Sequence, residues 1–149
     1  MPQHVRRLGL AGLAAGLALG MLPAAQGEAL LEPDQAFRPS ARFVAGEASR
    51  IEITYRIAPG YYLYRDRFRV AIQPQLAVGE LEQAPGEEID DPFVGRARIF
   101  RDSVALGLPL TASAPPGMYR LRITAQGCAE ARFCYRPFVQ EVQVRVPTP

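Results

Sequence analysis

Apolar and polar positions along this chain recur with a period of two. Arg50-Ile51-Glu52-Ile53-Thr54-Tyr55-Arg56-Ile57 alternates polar with apolar, the signature of a half-buried strand. Ala58-Pro59-Gly60 marks a turn. Tyr61 to Tyr64 and Phe68 to Ile72 read as further extended segments. Ser103 to Leu110 alternates through Val104, Leu106, Leu108 and Leu110, and Pro115-Pro116-Gly117 breaks the run. Tyr119 to Thr124 is the next strand; Val139 to Val146 is the last, with Val142, Val144 and Val146 on one face. No stretch after residue 28 carries a 3.6-residue apolar period. Short strands separated by Pro and Gly turns predict an all-β fold, an immunoglobulin-like antiparallel β-sandwich without repeat or second domain.

Two stretches fall outside that rhythm. Glu28 to Pro39 reads as a linker. Gln73 to Asp91 holds two prolines and six acids (Glu80, Glu82, Glu87, Glu88, Asp90, Asp91) and reads as a solvated loop with a weak strand near Leu76 to Leu81. Long loops in compact domains are often functional. Phe93 follows in Asp91-Pro92-Phe93-Val94-Gly95, where it either starts the next strand and packs inward or serves the loop.

The N-terminus differs in kind. His4, Arg6 and Arg7 precede an uncharged run from Leu8 to Leu22, and Pro23 and the small residues Ala24, Ala25 and Gly27 follow. That order is the signature of a secretory signal peptide. The run is short of the roughly 20 apolar residues a spanning helix needs. Residues 1–27 are therefore expected to be removed, with cleavage after Ala29 as second choice, leaving 28–149 as one exported domain. All 17 basic residues are Arg, and the leader carries two of them, so 15 Arg face 15 acids in the remainder. A neutral domain offers no field for nucleic acid. It retains no His, since the single one is His4, and only Met118 of the Met. Ser-His-Asp and Cys-His catalysis and His-ligated zinc or copper are thereby excluded.

Cys128 and Cys134 are the two cysteines, separated by five intervening residues and lying between the Tyr119 and Val139 strands. They sit at a hairpin end or across its arms. An exported chain with two cysteines usually forms one disulfide. A staple is one reading, although so short a loop gains less from closure than a long one. A working redox pair is another, since a turn leaves the sulfurs within reach of a partner thiolate. Free thiols or metal capture is a third, weak without His. Arg132 and Arg136 flank Cys134 and could stabilise a departing thiolate, or be ordinary surface arginines. A dithiol in an oxidising compartment also needs a hydrophobic lid, for which Phe93 is a candidate.

Three tracts carry a resemblance to a known family. They are Gly60-Tyr61-Tyr62-Leu63-Tyr64-Arg65, then Asp91-Pro92-Phe93-Val94-Gly95 with Ile99-Phe100-Arg101-Asp102, then Gln126-Gly127-Cys128 with Phe133-Cys134-Tyr135. In order and spacing the chain resembles the N-terminal periplasmic domain of the thiol:disulfide interchange protein DsbD, from about Leu30 to Val146. The resemblance implies an immunoglobulin-like fold with the cysteine pair in a hairpin at one end. It implies a thiol–disulfide exchanger, using no cofactor beyond its redox-active disulfide. Such a domain passes reducing equivalents to periplasmic disulfide isomerases or thioredoxin-like cytochrome c maturation proteins. Cys134 would form the mixed disulfide and Cys128 resolve it. Phe93 would cap the pair, Tyr62 and Tyr64 line the site, and Asp91 lie at the base of the cap loop.

Where the family's cap carries a second acid and an aromatic, this chain has Pro92 and Val94; Pro92 is expected to stiffen the loop. The expected domain is a monomer, recharged by a separate thioredoxin-like domain or membrane reductase. The competing expectation is a non-catalytic immunoglobulin-like binding or chaperone module with a structural disulfide.

Overall fold

The computed structural model describes residues 27–149. The expected leader, apart from Gly27, lies outside the described residues. Among the described residues no helix is long and apolar enough to cross a membrane.

A four-residue helical turn, α1 (Pro33–Ala36), leads into eleven strands: β1 (Phe37–Val44), β2 (Arg50–Ile57), β3 (Tyr61–Tyr64), β4 (Arg69–Gln73), β5 (Glu87–Asp91), β6 (Gly95–Phe100), β7 (Ser103–Pro109), β8 (Gly117–Ala125), β9 (Gly127–Ala129), β10 (Phe133–Cys134) and β11 (Phe138–Val146). They form three sheets, β1-β2-β7, β11-β8-β4 and β10-β9-β3-β6-β5, with every pairing antiparallel.

The alternating strands bury the faces the pattern assigns. Ile51, Ile53 and Tyr55 of β2, Val104, Leu106 and Leu108 of β7, and Tyr119, Leu121 and Ile123 of β8 share one core. Each fully buried aliphatic among them contributes about 1.5–3 kcal/mol. Strands β2 and β3 coincide with the segments read from the sequence. Between them Pro59 and Gly60 close a tight turn. Gly60 takes φ +79° and the Tyr61 amide donates to the Ala58 carbonyl at 3.1 Å, the arrangement of a Pro-Gly type II turn.

Two expectations are corrected. The stretch 28–39 is not all linker. Phe37 is fully buried, β1 begins there, and Gln140 on β11 donates to the Phe37 carbonyl at 2.8 Å. Pro39 obscures this strand in the sequence, but β1 is a sheet edge, where a missing amide is tolerated. In the acidic stretch the strand is β5, not Leu76 to Leu81, where Val78 makes only an isolated bridge to Leu110. Ile89 is the one strand former in Glu-Glu-Ile-Asp-Asp, and arginines serve the acids around it from neighbouring positions. Arg96 pairs with Glu88 at 3.5 Å and Arg101 with Glu87 at 3.2 Å.

The third sheet places the site. All four residues of β3 are buried because both of its faces are covered. Tyr61 and Leu63 join the main core, whereas Tyr62 and Tyr64 join a second cluster with Ile99 and Cys128. After Ala125 the chain leaves the β8 sheet and continues as β9 against β3. Gly127 makes that approach possible. A Cβ there would lie 2.3 Å from the Tyr62 carbonyl oxygen and 2.8 Å from the Phe37 ring.

Candidate functional site

Strand register brings the site together. Tyr62 on β3, Cys128 on β9 and Cys134 on β10 lie side by side across three strands. Cys128 and Cys134 are direct cross-strand partners with Cα atoms 4.0 Å apart, and they are joined as a disulfide. The two sulfurs differ in access. Cys128 is fully buried, whereas Cys134, on the outermost strand, is partly exposed.

A polar network lies beneath the disulfide. The Tyr64 hydroxyl is 3.1 Å from Cys128 Sγ and 3.5 Å from Cys134 Sγ. Sulfurs in a disulfide carry no proton, so the hydroxyl is the only possible donor in these contacts. The same hydroxyl lies 3.0 Å from Asp91 Oδ2, which also accepts from the Tyr62 hydroxyl. The second oxygen, Asp91 Oδ1, accepts from the amides of Phe93 at 2.7 Å and Val94 at 3.0 Å.

Those bonds give Asp91 two tasks. Its side chain closes the β5–β6 turn as an Asx turn, with Pro92 next and Gly95 at φ +81° ending it. It also orients both tyrosines. Burial works against its charge, but the bonds from Tyr62, the two amides and Tyr64 outweigh burial and hold the carboxyl below its ordinary range. Burial first, then the bond to Asp91, pushes the Tyr64 hydroxyl up to about 12 and Tyr62 upward as well. Both phenols therefore stay protonated at neutral pH, as donors.

The remaining residues named from the sequence fall as follows. Phe93 lies in the β5–β6 turn, 50% exposed, and is not an inward-packing start of β6. Ile89 and Ala97 from the two arms of that hairpin pack against the redox cluster. Arg132 donates to the Glu28 carbonyl at 2.5 Å, and Arg136 is exposed with no ion pair among the described residues.

A guanidinium that sequence reasoning did not single out, Arg101, also meets the site. It lies over the Tyr62 ring, 5.4 Å from its centroid. It also grips Glu130, in the loop between the cysteines, with two bonds of 2.8 Å. Arg101 stands in a quoted tract, but Glu130 is 29 residues away and only the β3–β6 and β3–β9 pairings bring the two together.

A buried sulfur, a reachable sulfur and a protonated phenol beside both, at one end of an immunoglobulin-like sandwich, define a redox-capable β domain. The family described as "Thiol:disulfide interchange protein DsbD, N-terminal" matches residues 27–145, and the chain belongs to it. It is 35% identical over 141 residues to a thiol:disulfide interchange protein DsbD of Ralstonia nicotianae. That match covers 93% of this chain and 22% of the relative, so the chain spans about a fifth of the relative's length. The reduced DsbD N-terminal domain of Neisseria meningitidis superposes with a TM-score of 0.68 at 29% identity, covering 80% of this chain and 92% of that one. The DsbD N-terminal domain in complex with the PilB N-terminal domain, from the same organism, superposes with a TM-score of 0.62 at 32% identity, covering 76% and 86%.

Proposed function

We propose that this domain exchanges thiols and disulfides through Cys128 and Cys134, passing reducing equivalents to oxidised thioredoxin-fold proteins in the periplasm. The observation that carries the reading is the unequal access of the two sulfurs, with Cys128 fully buried and Cys134 at a sheet edge. An incoming protein can meet only the outer sulfur. The relative captured in complex with a PilB N-terminal domain supports a protein acceptor of this type.

In the reduced domain the Cys134 thiolate attacks one sulfur of a partner disulfide. A mixed disulfide forms and the partner's second sulfur leaves as thiolate. Cys128 then loses its proton and attacks Cys134 Sγ. The Cys128–Cys134 bond closes and the partner's first sulfur leaves. Two electrons pass to the partner, with two protons following from the thiols. A separate donor, a thioredoxin-like domain or a membrane reductase, reverses these steps by attacking Cys134.

Tyr64 has one proton and acceptors on both sides, Asp91 Oδ2 at 3.0 Å and the two sulfurs. While the sulfurs are neutral, the proton serves the carboxylate. When charge develops on a sulfur, the hydroxyl donates there. Phe93 closes over the pair as a cap and moves aside when a partner docks.

Trapping tests the assignment. The Cys128→Ser domain, mixed with an oxidised thioredoxin-fold protein, is expected to accumulate a covalent adduct through Cys134. The Cys134→Ser domain is expected to give none. Absence of adduct with Cys128→Ser, together with a wild-type potential well below about −300 mV, would make the disulfide a structural staple.

A further inference from the structure

The redox site has a neighbour that the exchange chemistry does not use. Beside Tyr64 lies a cleft of about 280 Å³, lined by Tyr64, Asp66, Val94 and Ala97 together with four arginines, Arg67, Arg69, Arg96 and Arg98. All four arginines are exposed. They come from two directions, Arg67 and Arg69 from the turn and strand after β3, Arg96 and Arg98 from β6.

Local acids offset this charge only in part. Asp66 is held by Arg65 at 2.8 Å. On β5, Glu88 pairs with Arg96 at 3.5 Å and stands opposite Arg98, while Asp90 stands opposite Arg96. Arg67, Arg69 and Arg98 make no ion pair among the described residues. The domain from residue 28 onward balances 15 Arg against 15 acids. The cleft is therefore a local concentration of charge rather than a sample of a basic protein. Guanidinium groups crowded together repel one another, and their planar forks match carboxylates.

Position gives the concentration a use. Tyr64 is one wall of the cleft, and its hydroxyl lies 3.5 Å from Cys134 Sγ. A protein whose disulfide approaches Cys134 lays its neighbouring surface over the arginines. Val94, 50% exposed in the β5–β6 turn, adds an apolar contact on the same rim.

We infer that the Arg67–Arg69–Arg96–Arg98 cleft docks an acidic surface segment of the disulfide-bearing partner protein, steering that partner's disulfide onto Cys134. The inference rests on the exchange reading above. Exposed charges of this kind act chiefly on the rate of encounter and on its salt dependence.

Two synthetic peptides test it. Each carries one intramolecular disulfide, flanked in one by glutamates and in the other by glutamines. The reduced domain converts each disulfide to a dithiol and becomes oxidised, and the two second-order rates are compared. At about 0.01 M salt, where charges act over about 30 Å, the glutamate peptide is expected to react about tenfold faster. At about 1 M salt, where the range is about 3 Å, the ratio is expected to fall near one. In an Arg67→Gln/Arg98→Gln variant the ratio is expected to drop most of the way to one at low salt; a general loss of rate cancels in that ratio. Equal rates for both peptides with the wild type, or an unchanged ratio in the variant, overturn the cleft and leave the exchange reading standing. Failure of both peptides to react overturns the docking, and the exchange reading falls with it only if Cys128→Ser also forms no adduct with an oxidised thioredoxin-fold protein.

Discussion

Arg101 and Glu130 meet in a two-pronged ion pair, Nη1 and Nη2 each 2.8 Å from a carboxylate oxygen, and so tie the β5–β6 hairpin to the loop between the two cysteines. Glu130 is half exposed, so the pair is screened and modest in energy. Its geometry and the Tyr62 ring beneath raise its worth. Arg101→Gln is expected to lower the stability of the oxidised domain by about 1 kcal/mol. Urea unfolding checks this, and the deficit should shrink in high salt. Arg101→Lys should recover only part of it, since an ammonium cannot hold both oxygens in plane.

Asp91 links stability to acid. Its carboxyl is held below the ordinary range in the folded domain, so the folded state binds its proton later than the unfolded state. That contribution is present above the unfolded value of about 3.9 and is lost as pH falls through the lower folded value. Asp91→Asn is expected to destabilise the oxidised domain by about 1–3 kcal/mol at neutral pH, because a carboxylate with four donors is replaced. Denaturant titrations should show wild type and variant converging below about pH 4. A constant gap across pH would mean that the charge of Asp91 contributes nothing.

Phe93 tests the cap. Half exposed in its turn, it contributes little to the core. Phe93→Ala is expected to leave the unfolding midpoint nearly unchanged and to speed reduction of the Cys128–Cys134 disulfide by dithiothreitol several-fold. Counting free thiols over time reads this directly. An unchanged rate would remove Phe93 from the mechanism.

Tyr55 holds a different kind of information. Its ring is fully buried against Phe68, and its hydroxyl has no hydrogen-bond partner among the described residues. A buried hydroxyl without a partner costs about 1–3 kcal/mol. Tyr55→Phe is expected to raise stability by about 1 kcal/mol without changing thiol exchange. A destabilised variant would reveal that the hydroxyl is satisfied after all.

Much of the fold was legible in the sequence because strands half-buried on one face must alternate. β2 reads directly from Arg50 to Ile57, and the Tyr119 and Val139 strands are off by one or two residues at their ends. β5 was not legible, since its acids oppose strand formation until the arginines of β6 stand beside them. β1 was hidden by Pro39, tolerable only because the strand is an edge. The candidate site was half legible. The i, i+2 spacing of Tyr62 and Tyr64 puts both on one strand face, and the quoted tracts mark Asp91 and the two cysteines.

The sequence by itself determined the class of fold, the cysteine pair and the chemistry that lack of His beyond residue 4 excludes. These follow from local periodicity and composition, which need no knowledge of what lies opposite. Only the tertiary structure decided which sulfur is reachable, that Tyr62 and Tyr64 converge on Asp91, that Arg101 lies over Tyr62 and holds Glu130, and that four arginines share a cleft. Each of these depends on strand register between segments tens of residues apart. Cross-strand partners are set by the packing of the whole sheet, and alternation within one strand carries no record of its neighbour.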